Sequence, residues 1–199
     1  MSLDLLDWRR RVRDLYREIR ESPDPATAHA LWVDARRDLL TRHPQSPVLP
    51  RDRSSFRLLV APYDPAFRFV VPVGPADAQR RDVMTGTDGV VGLERLGRVE
   101  LPGLGGLDVW WVTGYAGGLF LPLRDATAGE ATYGGGRYVL DTAKGADLGG
   151  GPQDLVVDLN FAYPPSCAYD PAWACPLPGP GNRLEAAVPV GELGPAGTT

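Results

Sequence analysis

Apolar residues at the start of the chain recur at helical spacing. Leu5, Trp8, Val12, Leu15 and Ile19 are separated alternately by three and four positions, which aligns them as one stripe on a helix over residues 3–21. Ser2 stands where a cap belongs, with Asp4 and Asp7 near the positive end of the helix dipole and Arg17 and Arg20 near the negative end. The arginine-rich opposite face is interleaved with acidic residues and reads as solvated surface. A second helix starts at Asp24-Pro25, a capping residue followed by proline at the first helical position, and runs to about Arg42 with Leu31, Ala35 and Leu39 inward. His43-Pro44 ends it. His29 and Trp32 on this helix read as packing residues.

After Pro50 the pattern changes to short alternating runs. Segments 56–60 and 67–71 read as strands separated by the turn Pro62-Tyr63-Asp64-Pro65. Residues 74–89 are polar and rich in Gly, Asp and Arg, which predicts a mobile loop. Strands are then expected at 90–93, 98–101, 107–113, 118–123, 137–141 and 155–161, with a last one near 184–190 and a loose tail at 194–199. Regular spacing with glycine turns is the pattern of an antiparallel sandwich or barrel. The expected fold is mainly β, of the α+β class, in one domain over 1–199. Two N-terminal helices (a cap over 1–45) pack on an antiparallel β-barrel or rolled sheet (50–192), and a tail follows at 193–199.

Composition narrows the function. The 199 residues are 43% hydrophobic and 23% charged, a globular balance. The 24 Gly and 20 Pro leave little room for long helices beyond the first region. A net charge of −4 argues against a nucleic-acid partner. No apolar run is long enough for a membrane span, and the first residues lack the basic and apolar regions of a signal peptide, which points to the cytoplasm. No metal is expected: His29 and His43 lie far from Cys167 and Cys175, without C-x-x-C or H-x-x-x-H spacing. Neither a phosphate loop nor a serine elbow is present.

The candidate chemistry lies in residues 114–192. This stretch carries Tyr133-Gly134-Gly135-Gly136-Arg137-Tyr138, then Asp158-Leu159-Asn160-Phe161-Ala162-Tyr163, then Pro165-Ser166-Cys167-Ala168-Tyr169, and finally Cys175-Pro176-Leu177-Pro178 with Asn182-Arg183-Leu184. These runs resemble a bacterial family known as domain-of-unknown-function family 1684. The resemblance is strongest over about 110–192 and weaker over 40–73, where Pro44-Gln45-Ser46-Pro47 and Tyr63-Asp64-Pro65 match. The family's name implies no activity. Its pattern has asparagine before Pro-Ser-Cys, where this chain has Pro164.

On a strand, Asp158 and Asn160 share one face, and Arg137 shares its face with Val139 and Asp141. Apolar neighbours point Asp158 inward, where a carboxylate needs a cation; Arg137 and Arg183 are the candidates. A fold-holding Asp–Arg network is the alternative to catalysis. Lys144, the one lysine beside 20 arginines, is either a desolvated nucleophile or an exposed cation between turns. Cys167 and Cys175 are open to three readings: buried small apolar residues, a disulfide or redox pair, or a nucleophile served by Arg183. The glycine triplet lies between strands, which suits a hairpin or close backbone packing better than a phosphate cradle.

The leading expectation is a small-molecule-binding barrel with a pocket built from residues 115–183 and no cofactor, performing acid–base or hydrolytic work if it is an enzyme. Asp158 or Asp141 is the expected base, Arg137 and Arg183 stabilise charge, Tyr138 or Tyr163 donates a proton, and Cys167 is the alternative nucleophile. Asp125, Tyr133, Asn160, Cys175, Asn182 and Lys144 are expected around the ligand. A homodimer is left open. The competing readings are a non-catalytic interaction module and a flavin-binding barrel.

Overall fold

The computed structural model describes residues 3–85 and 89–194. The expected cap at Ser2 and most of the expected tail lie outside the described residues. Helix α1 spans Leu3–Glu21 and buries Leu15, Tyr16 and Ile19. Helix α2 spans Pro25–Arg42, and the Asp24 carboxylate caps it by accepting from the N–H groups of Ala26 (3.3 Å) and Thr27 (3.0 Å), an arrangement that contributes about 1 kcal/mol. The inward face of α2 differs from the expected one. It carries Ala28, His29, Trp32, Leu39 and Leu40, whereas Leu31 is 40% exposed. His29 is a packing residue: its ring lies against Trp32, Tyr63 and Phe161.

Seven strands follow: β1 (Arg68–Pro72), β2 (Arg80–Thr85), β3 (Gly89–Leu101), β4 (Gly105–Val112), β5 (Gly118–Leu123), β6 (Arg137–Asp141) and β7 (Asp154–Asp158). Strands β2 to β6 form an antiparallel meander in sequence order, while β1 pairs with β7, with Phe69 opposite Val157. The meander starts at β2 and stops at β6 without closing, so the expected barrel is not formed. The reason lies at β6. Its outer edge is met by short bridges from Tyr163 and Ala146 rather than by a strand, and Pro164 and Pro165 prevent a ladder from continuing there.

The expected loop at 74–89 contains the edge strand β2. Its exposed positions are Arg80, Asp82 and Met84, and the charges at the first two suit a solvent-facing edge and mask the alternation. The strands expected at 90–93 and 98–101 are one strand, β3, with a bulge between Arg95 and Gly97. Gly97 is needed there, because a Cβ at that position would lie 2.4 Å from the Gly74 carbonyl oxygen.

Segments 56–60 and 184–190 are extended but form no ladder. Val60 bridges Glu192 alone, and Pro189 removes a donor from the second segment. The expected strand at 155–161 stops at Asp158, where the chain enters a single helical turn, Leu159–Phe161. One apolar core draws on both helices, both sheets and the segment carrying Leu184, Val188 and Val190. A smaller cluster, Leu93, Trp110, Phe120 and Tyr138, forms separately.

Candidate functional site

The open edge of β6 creates a cavity. Tyr138 and Tyr163 exchange backbone hydrogen bonds (2.7 and 3.0 Å), and Pro164 and Pro165 follow directly in the cavity wall. The space left between α1, α2 and this edge is about 120 Å³, room for on the order of ten water-sized atoms. One side is apolar, with Trp8, Val12, Leu15, Trp32, Leu39 and Leu40 from the helices. The other is polar, with Tyr16, Arg36, Asp141, Lys144, Tyr163 and Cys175. Pro164, the residue that departs from the family pattern, is also in the wall.

Arg36 anchors the polar side. Its Nε donates to Glu192 Oε2 and its Nη2 to Tyr169 Oη at 3.0 Å, while Tyr169 Oη donates to Glu192 Oε1. The guanidinium sits 4.6 Å from the centre of the Tyr163 ring, a cation–π contact. Burial opposes the charge on Arg36, but Glu192 and Tyr169 more than restore it and raise its pKa.

Two other groups are less fully paired. The Tyr16 hydroxyl is buried without a hydrogen-bond partner, and burial pushes its pKa up to about 12. Asp141 ends β6 at 5% exposure, and burial raises its pKa although Lys144 Nζ lies 3.7 Å away. Lys144 itself is 59% exposed, so solvent screens much of that attraction. Tyr138 is engaged elsewhere, donating to the Pro176 carbonyl at 2.8 Å. Burial raises the pKa of both Tyr138 and Tyr163.

Cys167 and Cys175 are free, half-buried thiols, and Cys175 lines the cavity. Cys167 lies on the turn Ser166–Ala168, and Tyr133 Oη donates to its Sγ at 3.7 Å. Hydrogen bonding from the Cys167 thiol lowers the pKa of Cys175 to about 6, with help from the N–H groups of Cys167 and Ser166 and from Lys144. The same contact, with burial, raises that of Cys167.

The other expected residues lie in three separate networks. Arg137 is fully buried and enclosed. It donates to Asp125 Oδ2 (2.8 Å) and to the carbonyls of Val188 (2.8 Å), Val190 and Glu192 (3.3 Å). Burial works against ionisation of Asp125, but Arg137, Thr127 and the Val188 N–H outweigh it and hold the carboxyl below its usual range. This buried ion pair staples the C-terminal segment to β6, and of its guanidinium nitrogens Nε alone has no hydrogen-bond partner. Gly136 precedes it at φ +90°, where a Cβ would lie 2.6 Å from the Leu123 carbonyl oxygen; close packing explains the triplet at that position.

Asp158 forms the second network, and its partners are neither Arg137 nor Arg183. It accepts from Asn160 N (3.0 Å) and Nδ2 (2.8 Å) and from Tyr63 Oη (3.3 Å), with Arg68 Nε at 3.7 Å. Asp158 and Asn160 meet because the chain turns after Asp158, not because they share a strand face. Burial still raises the Asp158 pKa. A second, open cavity of about 350 Å³ adjoins Asp158, Arg68 and Arg20. Asn182 forms the third network. It is fully buried, accepts from Trp110 Nε1 (2.8 Å) and donates to the carbonyls of Asp108 (2.8 Å) and Pro122 (2.9 Å). Arg183 is exposed and meets Arg124 only through backbone bonding.

Sequence reading missed Tyr16, Arg36 and Glu192. Arg36 follows Trp32 by four positions and precedes Leu40 by four, so the helical period placed it on the inward face. Tyr16 directly follows the stripe residue Leu15. Among the described residues, no three His, Cys, Asp or Glu side chains gather to hold a metal ion. Among the described residues, no helix is long and apolar enough to cross a membrane.

Comparison with known proteins returns the same picture of a fold without an assigned chemistry. No curated protein matches. The solution NMR structure of an uncharacterized protein of Haloarcula marismortui is similar, with 32% sequence identity and a TM-score of 0.60, over 84% of this chain and 92% of that one. Residues 55–193 match the family described as Protein of unknown function (DUF1684). The chain therefore belongs to that family.

Proposed function

We propose that the protein binds a compact small molecule in the cavity between its two helices and the edge of β6, and acts on it by acid–base chemistry. The observation that carries this reading is the Tyr16 hydroxyl, buried in the cavity wall beside the Trp32 indole and without a well-formed hydrogen bond. An orphaned buried hydroxyl costs about 1–3 kcal/mol, a cost that a ligand oxygen bonded to it offsets. Asp141 supplies the acid. Its raised pKa holds a proton on the carboxyl at higher pH than an exposed aspartate would, which suits a donor to a developing negative charge. Lys144 stands at the mouth as an exposed cation, and the Arg36–Glu192–Tyr169 triad holds the back wall rigid. The matching ligand has an accepting oxygen at one end and a short apolar body to lie against Trp8 and Leu39.

Native mass spectrometry of the protein exposed to a metabolite extract tests this. A species retained by the wild type and lost from both Tyr16→Phe and Asp141→Asn, each with a melting temperature no lower than that of the wild type, supports the reading. Equal retention by the variants, or no retained species, refutes it.

A further inference from the structure

The open cavity of about 350 Å³ shares no lining residue with the acid–base site. Ile19 and Arg20 of α1, Arg68 of β1, Val156 and Asp158 of β7, and Phe161 of the turn that follows converge on it. Gly149 sets the position of Arg20. Its φ is +82°, and a Cβ there would lie 3.0 Å from Arg20 Cδ, so glycine lets the arginine stem cross this loop. Arg20 Nη1 donates to the Asp147 carbonyl at 2.5 Å. The Gly149 carbonyl accepts from Val156 N at 3.0 Å, which ties the loop to β7.

The polar groups of this cavity are only partly used. Asp158 is 1% exposed. Its Oδ1 accepts twice from Asn160 (3.0 and 2.8 Å), whereas Oδ2 has the Tyr63 hydroxyl at 3.3 Å and Arg68 Nε at 3.7 Å, the latter beyond hydrogen-bond reach. Oδ2 therefore keeps acceptor capacity. Among the described residues, nothing accepts from Nε or Nη2 of Arg20, or from Nη1 or Nη2 of Arg68. Both arginine side chains are about one-third exposed, so their heads stand nearer the mouth than the sealed carboxylate. Two guanidiniums against one carboxylate leave the lining with one positive charge in excess, on a chain whose net charge is −4.

We propose that this second cavity binds a 2-hydroxycarboxylate with an apolar side chain. The ligand carboxylate accepts from the open Nη edge of Arg68, with Arg20 beside it, the fork geometry in which arginine holds a carboxylate best. Its hydroxyl donates to Asp158 Oδ2, and its side chain lies against Ile19, Val156 and Phe161. A single carboxylate matches the single excess charge of the lining. The 3.7 Å between Arg68 Nε and Asp158 Oδ2 sets fork and acceptor side by side, so the donor and the carboxylate belong on neighbouring atoms of the ligand. The donor is a neutral hydroxyl, because an ammonium at Oδ2 would face the Arg68 guanidinium at close range with the same sign.

The test titrates the whole chain with 2-hydroxyisovalerate and follows the backbone amides by NMR. Saturable shift changes are expected at Arg20, Arg68, Gly149, Val156 and Asp158. The amides of Tyr16 and Tyr163 should stay still, which separates this site from the acid–base cavity. Isovalerate lacks only the hydroxyl and valine carries an ammonium in its place; each should bind the wild type about tenfold more weakly or worse. Arg68→Met should weaken binding of the hydroxy acid by at least about tenfold, and Arg20→Met by several-fold. The comparison of the three probes on the wild type needs no variant, so it stands even where a variant fails to fold. Three results overturn the proposal: shift changes absent from these residues, isovalerate or valine binding as tightly as the hydroxy acid, or a folded Arg68→Met binding it as tightly as the wild type.

Discussion

Replacing Arg137 by methionine removes the cation from the most enclosed ion pair in the fold. Asp125, with 1% of its side chain exposed, keeps a buried charge without its counter-ion, and the carbonyls of Val188, Val190 and Glu192 lose a shared donor. Truncating one partner of a buried pair costs about 3–5 kcal/mol, a large part of a typical stability of about 5–15 kcal/mol. For a chain of this length each kcal/mol moves the melting temperature by about 2–4 °C, so Arg137→Met should melt roughly 6–20 °C below the wild type. Differential scanning calorimetry gives the shift. Urea unfolding should show the loss in the midpoint, not in the slope. Asp125→Asn should cost a comparable amount, and the double variant less than the sum of the two, because no uncompensated charge remains. A loss under about 1 kcal/mol for Arg137→Met would show that the guanidinium is not holding the C-terminal segment, and the reasoning would fail.

Three further outcomes are expected. Tyr16→Phe should leave the stability of the ligand-free protein unchanged or slightly higher, within about 1 kcal/mol, because the hydroxyl it deletes has no partner; a larger loss in a thermal melt would mean the hydroxyl is satisfied. Asp141 has a pKa raised by burial, so the folded state binds its proton more tightly than the unfolded state, and wild-type stability falls as pH rises from 3.8 through the folded value. Asp141→Asn should abolish that decline, with the variant gaining on the wild type from pH 4 to pH 7 in urea titrations; a gain on acidification instead would contradict the sign. Gly136→Ala should lose at least about 1–2 kcal/mol, since its φ of +90° and the Leu123 carbonyl at 2.6 Å both oppose a Cβ, and circular-dichroism melting reads it directly.

The elements with local signals were legible in the chain. Asp24-Pro25 and His43-Pro44 bracket α2 as expected, and β5 and β6 have the bounds their apolar runs suggested. Burial of Asp158 also followed from its apolar surroundings. What the chain does not display is which buried group meets which. Arg137 reaches Asp125 and the C-terminal segment, Asp158 takes Arg68 and Tyr63, and Asn182 takes Trp110, so the expected single cluster divides. These pairings depend on β1 crossing to β7 and on the meander staying open, both non-local outcomes. Strand β2 and the missing strand at 184–190 show the same limit: edge charges hid one, and Pro189, legible in hindsight, removed the other. Tyr16 and Arg36 stand on helices whose apolar period marks core positions and carries no signal of a site, although nearly half of the cavity wall comes from those helices.

Backbone amide NMR of the protein titrated with a fragment library tests the assignment of the cavity as the binding site most directly. Shift changes concentrated on Tyr16, Trp32, Asp141, Tyr163 and Ser166 are the predicted result. Changes gathered instead around Asp158 and Arg68 at the second cavity, or no fragment binding near the helices, would contradict it.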